Sequence, residues 1–126
     1  MGSLLKTKDL EALIIDDEKD ICYLLGSLLK GKKLDTAYVN SLSDAEQVLK
    51  ITHPGIIFLD NHLPDGLGVN FISRIKQMHP LAKIVMITAH DNVEDRASAF
   101  RQGADYFMGK PFSRDMVNNT VEKLMA

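Results

Sequence analysis

Short apolar runs alternate with segments of helical periodicity along the chain. The runs predict five strands, at residues 12–15, 34–39, 56–59, 83–87 and 106–108. After each run, apolar residues recur three and four positions apart, which predicts an amphipathic helix. The sequence therefore predicts five successive strand–helix units.

Turn and capping residues separate the predicted elements. Ser43 and Glu46 have the spacing of a capping box at the start of the second helix. Gly31 has the position expected of a glycine just beyond the end of the first helix. Pro54 and Pro80 break the chain before the third and fourth strands.

The predicted strands are continuous apolar runs without a polar face. Residues 56–59, all apolar, are the clearest example. Strands of this kind are buried on both faces, as in parallel sheets covered by helices on each side. Five such units predict a flavodoxin-like α/β fold, (βα)5, with helices on both faces and strand order 2-1-3-4-5. In that order the first and third strands are neighbours.

The composition is that of an ordinary globular domain. The 126 residues are 45% hydrophobic and 25% charged, and a net charge of −2 provides no basic excess for nucleic acid or membrane surfaces. No apolar run is long enough to span a bilayer, and there is no signal-peptide pattern. The single cysteine, Cys22, lies on an apolar helix face, so we expect it to pack in the core of a cytoplasmic protein.

The length of the chain suits one domain. We expect residues 10–126 to form this domain. Residues 1–9 are interpreted as an N-terminal extension, part of which is typical of residues added for expression. The chain ends soon after the fifth predicted helix, and whether the domain is free-standing or belongs to a larger protein stays open.

Polar residues stand where four of the five strands end. Asp16 and Asp17 follow the first strand, Asp60 the third, Thr88 the fourth and Lys110 the fifth. Parallel strands that are neighbours end at the same edge of a sheet, where α/β proteins bind their ligands. We therefore expect these five side chains to lie close together.

Three carboxylates at one edge repel one another. A pair of like charges ~4 Å apart costs about 4 kcal/mol at an effective dielectric constant of about 20. Such a cluster requires protons or a cation, and hard oxygen ligands in an open, wet site favour Mg²⁺. With a lysine and a threonine beside it, the cluster suits an aspartate nucleophile that accepts a phosphoryl group.

At these residues the sequence resembles the receiver domains of two-component response regulators, from about residue 10 to residue 124. The matching features are Asp16-Asp17, Asp60 with Pro64 and Gly68, Thr88-Ala89, Gly103-Ala104-Asp105 and Lys110-Pro111-Phe112. Each feature alone is weak, but all of them in order at successive strand ends make a specific signal. The resemblance implies a signalling switch that is phosphorylated on Asp60, slowly hydrolyses its own phosphoryl group, and is not an enzyme for other substrates.

The resemblance also implies a set of metal ligands. Asp17 and Asp60 are expected to bind Mg²⁺ directly, Asp16 mainly through water, and His62 through its backbone carbonyl. Lys110 is expected to pair with Asp60 and then with the phosphoryl oxygens.

The resemblance also implies which residues take part in the conformational switch and which influence the lifetime of the phosphoryl group. Thr88 is expected to bond to the phosphoryl group, and Phe107 occupies the position of the aromatic residue that moves inward in response. Receivers often carry tyrosine there, so Phe107 is a mild departure. His62 and His90 are expected to border the phosphoryl group and tune its hydrolysis.

The partners follow from the same resemblance. A sensor histidine kinase or a phosphotransfer protein is expected to donate the phosphoryl group, and an output domain or target protein to read the switch. We expect no direct nucleic acid contact and no membrane association. A phosphorylation-dependent homodimer through the fourth helix, fifth strand and fifth helix is a further expectation.

Three alternative functions remain open for the chain. A haloacid-dehalogenase-like phosphatase needs Asp-x-Asp after the first strand, whereas Asp16 and Asp17 are adjacent. A nucleotide or flavin binder needs a loop rich in glycine, serine or threonine there. A degenerate receiver would serve only as a docking surface. Glu18, beside the acidic pair, is expected only to favour the dipole of the first helix.

Overall fold

The computed structural model describes residues 10–125. Within that range the strands are β1 (Ala12–Ile15), β2 (Thr36–Val39), β3 (Ile56–Asp60), β4 (His62–Leu63), β5 (Gly66–Leu67), β6 (Lys83–Thr88) and β7 (Tyr106–Gly109). Five of them form one parallel sheet in the order β2-β1-β3-β6-β7, and β4 and β5 form a separate antiparallel pair. The predicted flavodoxin-like order is confirmed, because β6 and β7 are the fourth and fifth strands of the sheet. The predicted extension at residues 1–9 lies outside the described residues.

Five α-helices connect and follow the strands. They are α1 (Lys19–Gly31), α2 (Leu42–Leu49), α3 (Ile72–Met78), α4 (Val93–Gln102) and α5 (Arg114–Leu124), with a 3₁₀ turn at Gly68–Phe71 before α3. Among the described residues, no helix has the length and apolar character needed to cross a membrane.

Two apolar layers enclose the sheet. Alternate residues of each central strand point to opposite faces, as Leu13 and Ile14 of β1 do, and both are fully buried. One layer packs against α2, α3 and α4, and the other against α1 and α5. Burial on both faces explains why these strands lack a polar face in the sequence.

The register of the sheet aligns the strand ends. Ile15 of β1 lies opposite Leu59 of β3, so Asp16 and Asp60 follow side by side. On the other side of β3, Asp60 is paired with Ile87, the residue before Thr88. Polar residues from three strands therefore meet at one edge.

Two predicted helix boundaries are wrong in detail. Ser41, not Ser43, caps α2, because its hydroxyl accepts a 3.1 Å hydrogen bond from the backbone N–H of Asp44. The N–H of Ser43 instead donates to the Asp65 carboxylate. Gly31 is the last residue of α1, and the left-handed residue that follows is Lys33, with φ of 64°.

Candidate functional site

An open cavity of about 270 Å³ lies at the carboxyl edge of the sheet. Its lining residues are Asp17, Glu18, Asp60, His62, Ala89, His90 and Lys110. Two further residues expected at this edge, Asp16 and Thr88, are almost fully buried beside it. The structure thus brings together all five polar residues that the sequence places at the strand ends.

The three aspartates form one acidic cluster. Asp16, Asp17 and Asp60 each offer a carboxylate oxygen, and these oxygens all lie within 4.8 Å of one another. Asp16 and Asp60 are buried and Asp17 is exposed. Asp16 Oδ2 accepts no hydrogen bond although it is buried. The Lys110 ammonium forms an ion pair with this oxygen at 2.9 Å.

Backbone and side-chain hydrogen bonds fix the position of Asp16. Its Oδ1 accepts from the N–H of Glu18 at 2.8 Å, and its carbonyl accepts from Asn40 Nδ2 at 2.8 Å and from the Cys22 thiol at 3.2 Å. Burial and, to a lesser degree, Asp16 raise the pKa of Cys22 to about 11, so this thiol packs rather than reacts. Asn40 was not anticipated from the sequence, because its partner lies 24 residues away.

A tight hairpin holds the loop after Asp60. The Gly68 N–H donates to the Asn61 carbonyl at 2.8 Å, and Asn61 Oδ1 accepts from the Val69 N–H at 3.0 Å. A β-carbon on residue 68 would collide with the backbone carbonyl oxygen of Asp60. This close approach explains why glycine follows Asp60 by eight residues. Asp65 ties the hairpin to α2 by accepting from two backbone N–H groups there, each at 2.9 Å.

Lys110 contacts three carboxylates, and Asp60 is the most distant of them. The Nζ of Lys110 lies 2.6 Å from Glu18 Oε1, 2.9 Å from Asp16 Oδ2 and 3.6 Å from Asp60 Oδ1. Glu18 was expected only to favour the helix dipole. It occupies the N-cap position of α1 without a side-chain capping bond, and its carboxylate reaches Lys110 instead. The sequence carries no local signal for this contact between residues 92 positions apart.

Burial and charge shift the titration of these groups. Burial, with a further contribution from Asp16, raises the pKa of Asp60 from 3.8 to about 6. Burial also raises the pKa of Asp16, although the Glu18 N–H and Lys110 oppose the shift. Burial alone would lower the pKa of Lys110, but its contacts with Glu18 and Asp16 outweigh that effect and raise it. Lys110 is therefore charged at neutral pH.

Two histidines stand at the rim of the cavity. The rings of His62 and His90 are 4.9 Å apart between centroids and inclined at 67°. Both residues are exposed and line the same cavity as Asp60. The backbone N–H of His90 donates to Thr88 Oγ1 at 3.1 Å, which leaves the Thr88 hydroxyl proton available for another acceptor.

Phe107 lies beneath α4. Its side chain is buried, and Phe107 and Thr88 line the same small cavity of about 20 Å³. The Arg96 guanidinium lies over the ring, 4.9 Å from the centroid. Arg96 Nη2 also donates to both Asp91 oxygens, at 2.7 and 2.8 Å. The loop after Thr88 is thus connected to Phe107 through one arginine.

The acidic cluster fits a hard divalent cation. Carboxylate oxygens are the ligands that Mg²⁺ prefers, and the unsatisfied buried oxygen of Asp16 is a polar atom that water or a cation would complete.

Comparison with known proteins assigns the chain to a family. The sequence profile of the response regulator receiver domain matches residues 12–122. The chain belongs to this family, the receiver domains of two-component response regulators. Membership decides against the phosphatase and nucleotide-binding alternatives.

Relatives share both sequence and fold. The response regulator protein PilR of Pseudomonas aeruginosa is 37% identical over 101 residues, which cover 80% of this chain and 23% of PilR. The receiver domain of NtrX from Brucella abortus is 32% identical with a TM-score of 0.85, covering 91% of this chain and 98% of that one. The beryllofluoride-activated NtrC4 receiver domain dimer is 33% identical with a TM-score of 0.86, covering 90% and 94%. The chain spans about a quarter of the length of the curated relatives it matches.

Proposed function

We propose that the protein is a signalling switch that accepts a phosphoryl group on Asp60 from a sensor histidine kinase or a phosphotransfer protein. One observation carries this proposal. Asp60 ends the central strand β3 in an open cavity, with carboxylate oxygens of Asp16 and Asp17 within 4.8 Å of its own and the Lys110 ammonium 3.6 Å from Oδ1. This arrangement offers a nucleophile together with a cation for the transferred group.

In the proposed reaction, a carboxylate oxygen of Asp60 attacks the phosphorus of the donor. The new O–P bond forms as the bond between phosphorus and the donor breaks, and the donor leaves with that electron pair. Lys110 and Thr88 donate hydrogen bonds to the phosphoryl oxygens, and Lys110 offsets their charge. Hydrolysis later restores the carboxylate when water attacks the same phosphorus.

Mg²⁺ would be held by Asp60, Asp17 and the backbone carbonyl of His62, with Asp16 acting mainly through water. When bound, it supplies positive charge for the carboxylates and the phosphoryl oxygens. The unsatisfied Asp16 Oδ2 and the grouping of three aspartates support this assignment.

His62 and His90 are proposed to tune the lifetime of the phosphoryl group. Their contact across the mouth of the cavity that contains Asp60 supports this role. Rings in this position would restrict the approach of the attacking water. Their replacement by smaller side chains should therefore change the rate of hydrolysis.

The switch itself is proposed to run from Thr88 through the loop before α4 to Phe107. Thr88 would be drawn to the phosphoryl group, and the Asp91–Arg96 pair would carry the displacement to the aromatic ring. To shift the protein from mostly off to mostly on, the phosphoryl group must stabilise the active conformation by roughly 5.5 kcal/mol more than the inactive one.

An output domain or a target protein would read this change, and the relatives' greater length supports the first possibility. Exposed apolar residues on α4 and α5, Phe100 and Met116, support a phosphorylation-dependent homodimer through α4, β7 and α5. The NtrC4 receiver, described as a beryllofluoride-activated dimer, is a precedent within the family. We place the protein in the cytoplasm, in keeping with its buried, unpaired Cys22.

Intact mass spectrometry tests this function. Native protein incubated with acetyl phosphate and Mg²⁺ should gain the mass of one phosphoryl group, and Asp60→Asn should gain none. Native protein in EDTA should also gain none. Equal phosphorylation of native protein and Asp60→Asn would contradict the assignment, and absence of phosphorylation in native protein would favour a degenerate receiver.

A further inference from the structure

Glu18 is the closest partner of the Lys110 ammonium. The 2.6 Å contact joins the start of α1 to the loop between β7 and α5, and it is 1 Å shorter than the distance from Lys110 to Asp60, 3.6 Å. The Lys110 side chain is only 9% exposed, whereas the Glu18 side chain is 59% exposed. A largely buried cation is thus bound by a carboxylate that reaches in from the surface.

The two acidic partners of Lys110 differ in how firmly they are held. Asp16 is fully buried, and its Oδ1 is anchored by the Glu18 N–H. The Glu18 carboxylate makes no capping bond to α1 and holds only Lys110 among the contacts of the described residues. Glu18 is therefore the partner that can leave without disturbing the backbone.

A phosphoryl group on Asp60 would compete for the same ammonium. The Lys110 Nζ lies 3.6 Å from Asp60 Oδ1, and to bond to phosphoryl oxygens attached there it must direct an N–H group away from its present carboxylate partners. The contact with Glu18 opposes that change, because an N–H group that bonds to Glu18 at 2.6 Å is not available to the phosphoryl oxygens. The geometry points to two positions for Lys110, one set by Glu18 and one by the phosphoryl group.

We propose that Glu18 is a positioning residue that holds Lys110 away from Asp60 in the unphosphorylated protein and slows phosphoryl transfer until it releases the lysine. The inference rests on the proposed function of Asp60. In this role Glu18 affects the reaction only through Lys110 and does not contact the phosphoryl group.

Phosphorylation rates separate this role from general electrostatics. Glu18→Gln removes the charged contact, and Glu18→Asp keeps the charge but shortens the side chain, so it no longer spans the distance to Lys110. Asp20→Asn is the matched control, since Asp20 is an exposed acid in the first turn of α1. With acetyl phosphate and saturating Mg²⁺, both Glu18 variants should be phosphorylated roughly three to ten times faster than native protein. Asp20→Asn should match native protein.

Two results would overturn the inference while leaving the proposed function intact. Rates for Glu18→Gln equal to those of Asp20→Asn would show that Glu18 does not restrain Lys110. A rate for Glu18→Asp equal to the native rate, with only Glu18→Gln faster, would assign the effect to charge alone. If native protein takes up no phosphoryl group, the proposed function fails and the inference fails with it.

A spectroscopic measurement observes the contact itself. In ¹H–¹⁵N spectra of the lysine ammonium groups, the Lys110 signal is identified by its loss in Lys110→Arg. It should shift in Glu18→Gln and in Glu18→Asp and stay in place in Asp20→Asn. An unchanged Lys110 signal in both Glu18 variants would overturn the inference whatever the rates.

Discussion

The guanidinium of Arg96 lies over the ring of Phe107, with its central carbon 4.9 Å from the ring centroid. The same guanidinium donates two hydrogen bonds to Asp91, three residues after Thr88. One side chain of α4 therefore contacts both the loop that begins at the candidate site and the buried aromatic residue of β7. The proposed switch uses this contact to connect the loop with Phe107.

Arg96→Gln should loosen the Phe107 ring. The variant loses a cation–π contact and an ion pair at the surface, which together should lower the free energy of unfolding by about 1 kcal/mol. Urea denaturation measures that loss, and aromatic NMR signals of Phe107 report the change in its surroundings. Arg101→Gln, an exposed change in the last turn of the same helix, is the control. Identical Phe107 signals in the two variants would contradict the proposed connection.

Gly68→Ala should destabilise the fold and the site together. A methyl group at this position meets the Asp60 carbonyl and the Leu59 side chain, so the hairpin after β3 must shift. Strain of this kind costs typically about 1–3 kcal/mol, which urea denaturation would detect. Gly26→Ala is the matched control, because nothing lies within 4 Å of an added β-carbon there. That change in a helix interior should stabilise by about 0.5–1 kcal/mol.

Asp60→Asn should stabilise the protein in EDTA. Burial and the neighbouring Asp16 penalise the ionised Asp60, and the rise in its pKa from 3.8 to about 6 reflects that penalty. The change should raise the free energy of unfolding at pH 7.5 by about 1–3 kcal/mol. Asp115→Asn, which removes an exposed acid from the first turn of α5, should bring no such gain. Saturating Mg²⁺ should reduce the advantage of Asp60→Asn, since a cation at the proposed site would offset the charge of the native cluster.

The stability difference between native protein and Asp60→Asn should depend on pH. A carboxyl group with a raised pKa binds its proton more tightly in the folded state, so the penalty is absent when both states are protonated, below about pH 4. It grows as pH rises and is complete above about pH 6, where folded Asp60 has lost its proton. Urea titrations in EDTA at pH 4.5 and 7.5 should therefore show a smaller difference at the lower pH. An equal difference at both values would mean that Asp60 carries no such penalty.

The strand ends and the acidic edge could be predicted from the sequence because both follow from local patterns. Four of the five apolar runs end at or just before a polar residue of the site, and parallel pairing brings such residues together, as it does Asp16 and Asp60. Why position 68 is a glycine and position 65 an aspartate became clear only in the structure. A close backbone approach and a cap supplied by another element leave no local pattern.

Contacts that long charged side chains make with residues of other elements could not be predicted from the sequence. Glu18 looks like an ordinary first-turn acid, and only the fold brings it against Lys110. Arg96 likewise reads as a solvated helix residue, although it lies over Phe107. Long, flexible charged side chains have no periodicity that reveals their partners, so these pairs depend on the tertiary arrangement.

Borohydride trapping tests whether Asp60 is the phosphoacceptor, because it identifies the carboxylate that carries the phosphoryl group. Reduction of an aspartyl phosphate yields homoserine at that position, which peptide mass mapping can locate. After treatment with acetyl phosphate and Mg²⁺, we expect homoserine at position 60 and unmodified aspartate at positions 16 and 17. Homoserine at position 16 or 17, or its absence from position 60 in protein that has gained a phosphoryl group, would show that Asp60 is not the phosphoacceptor.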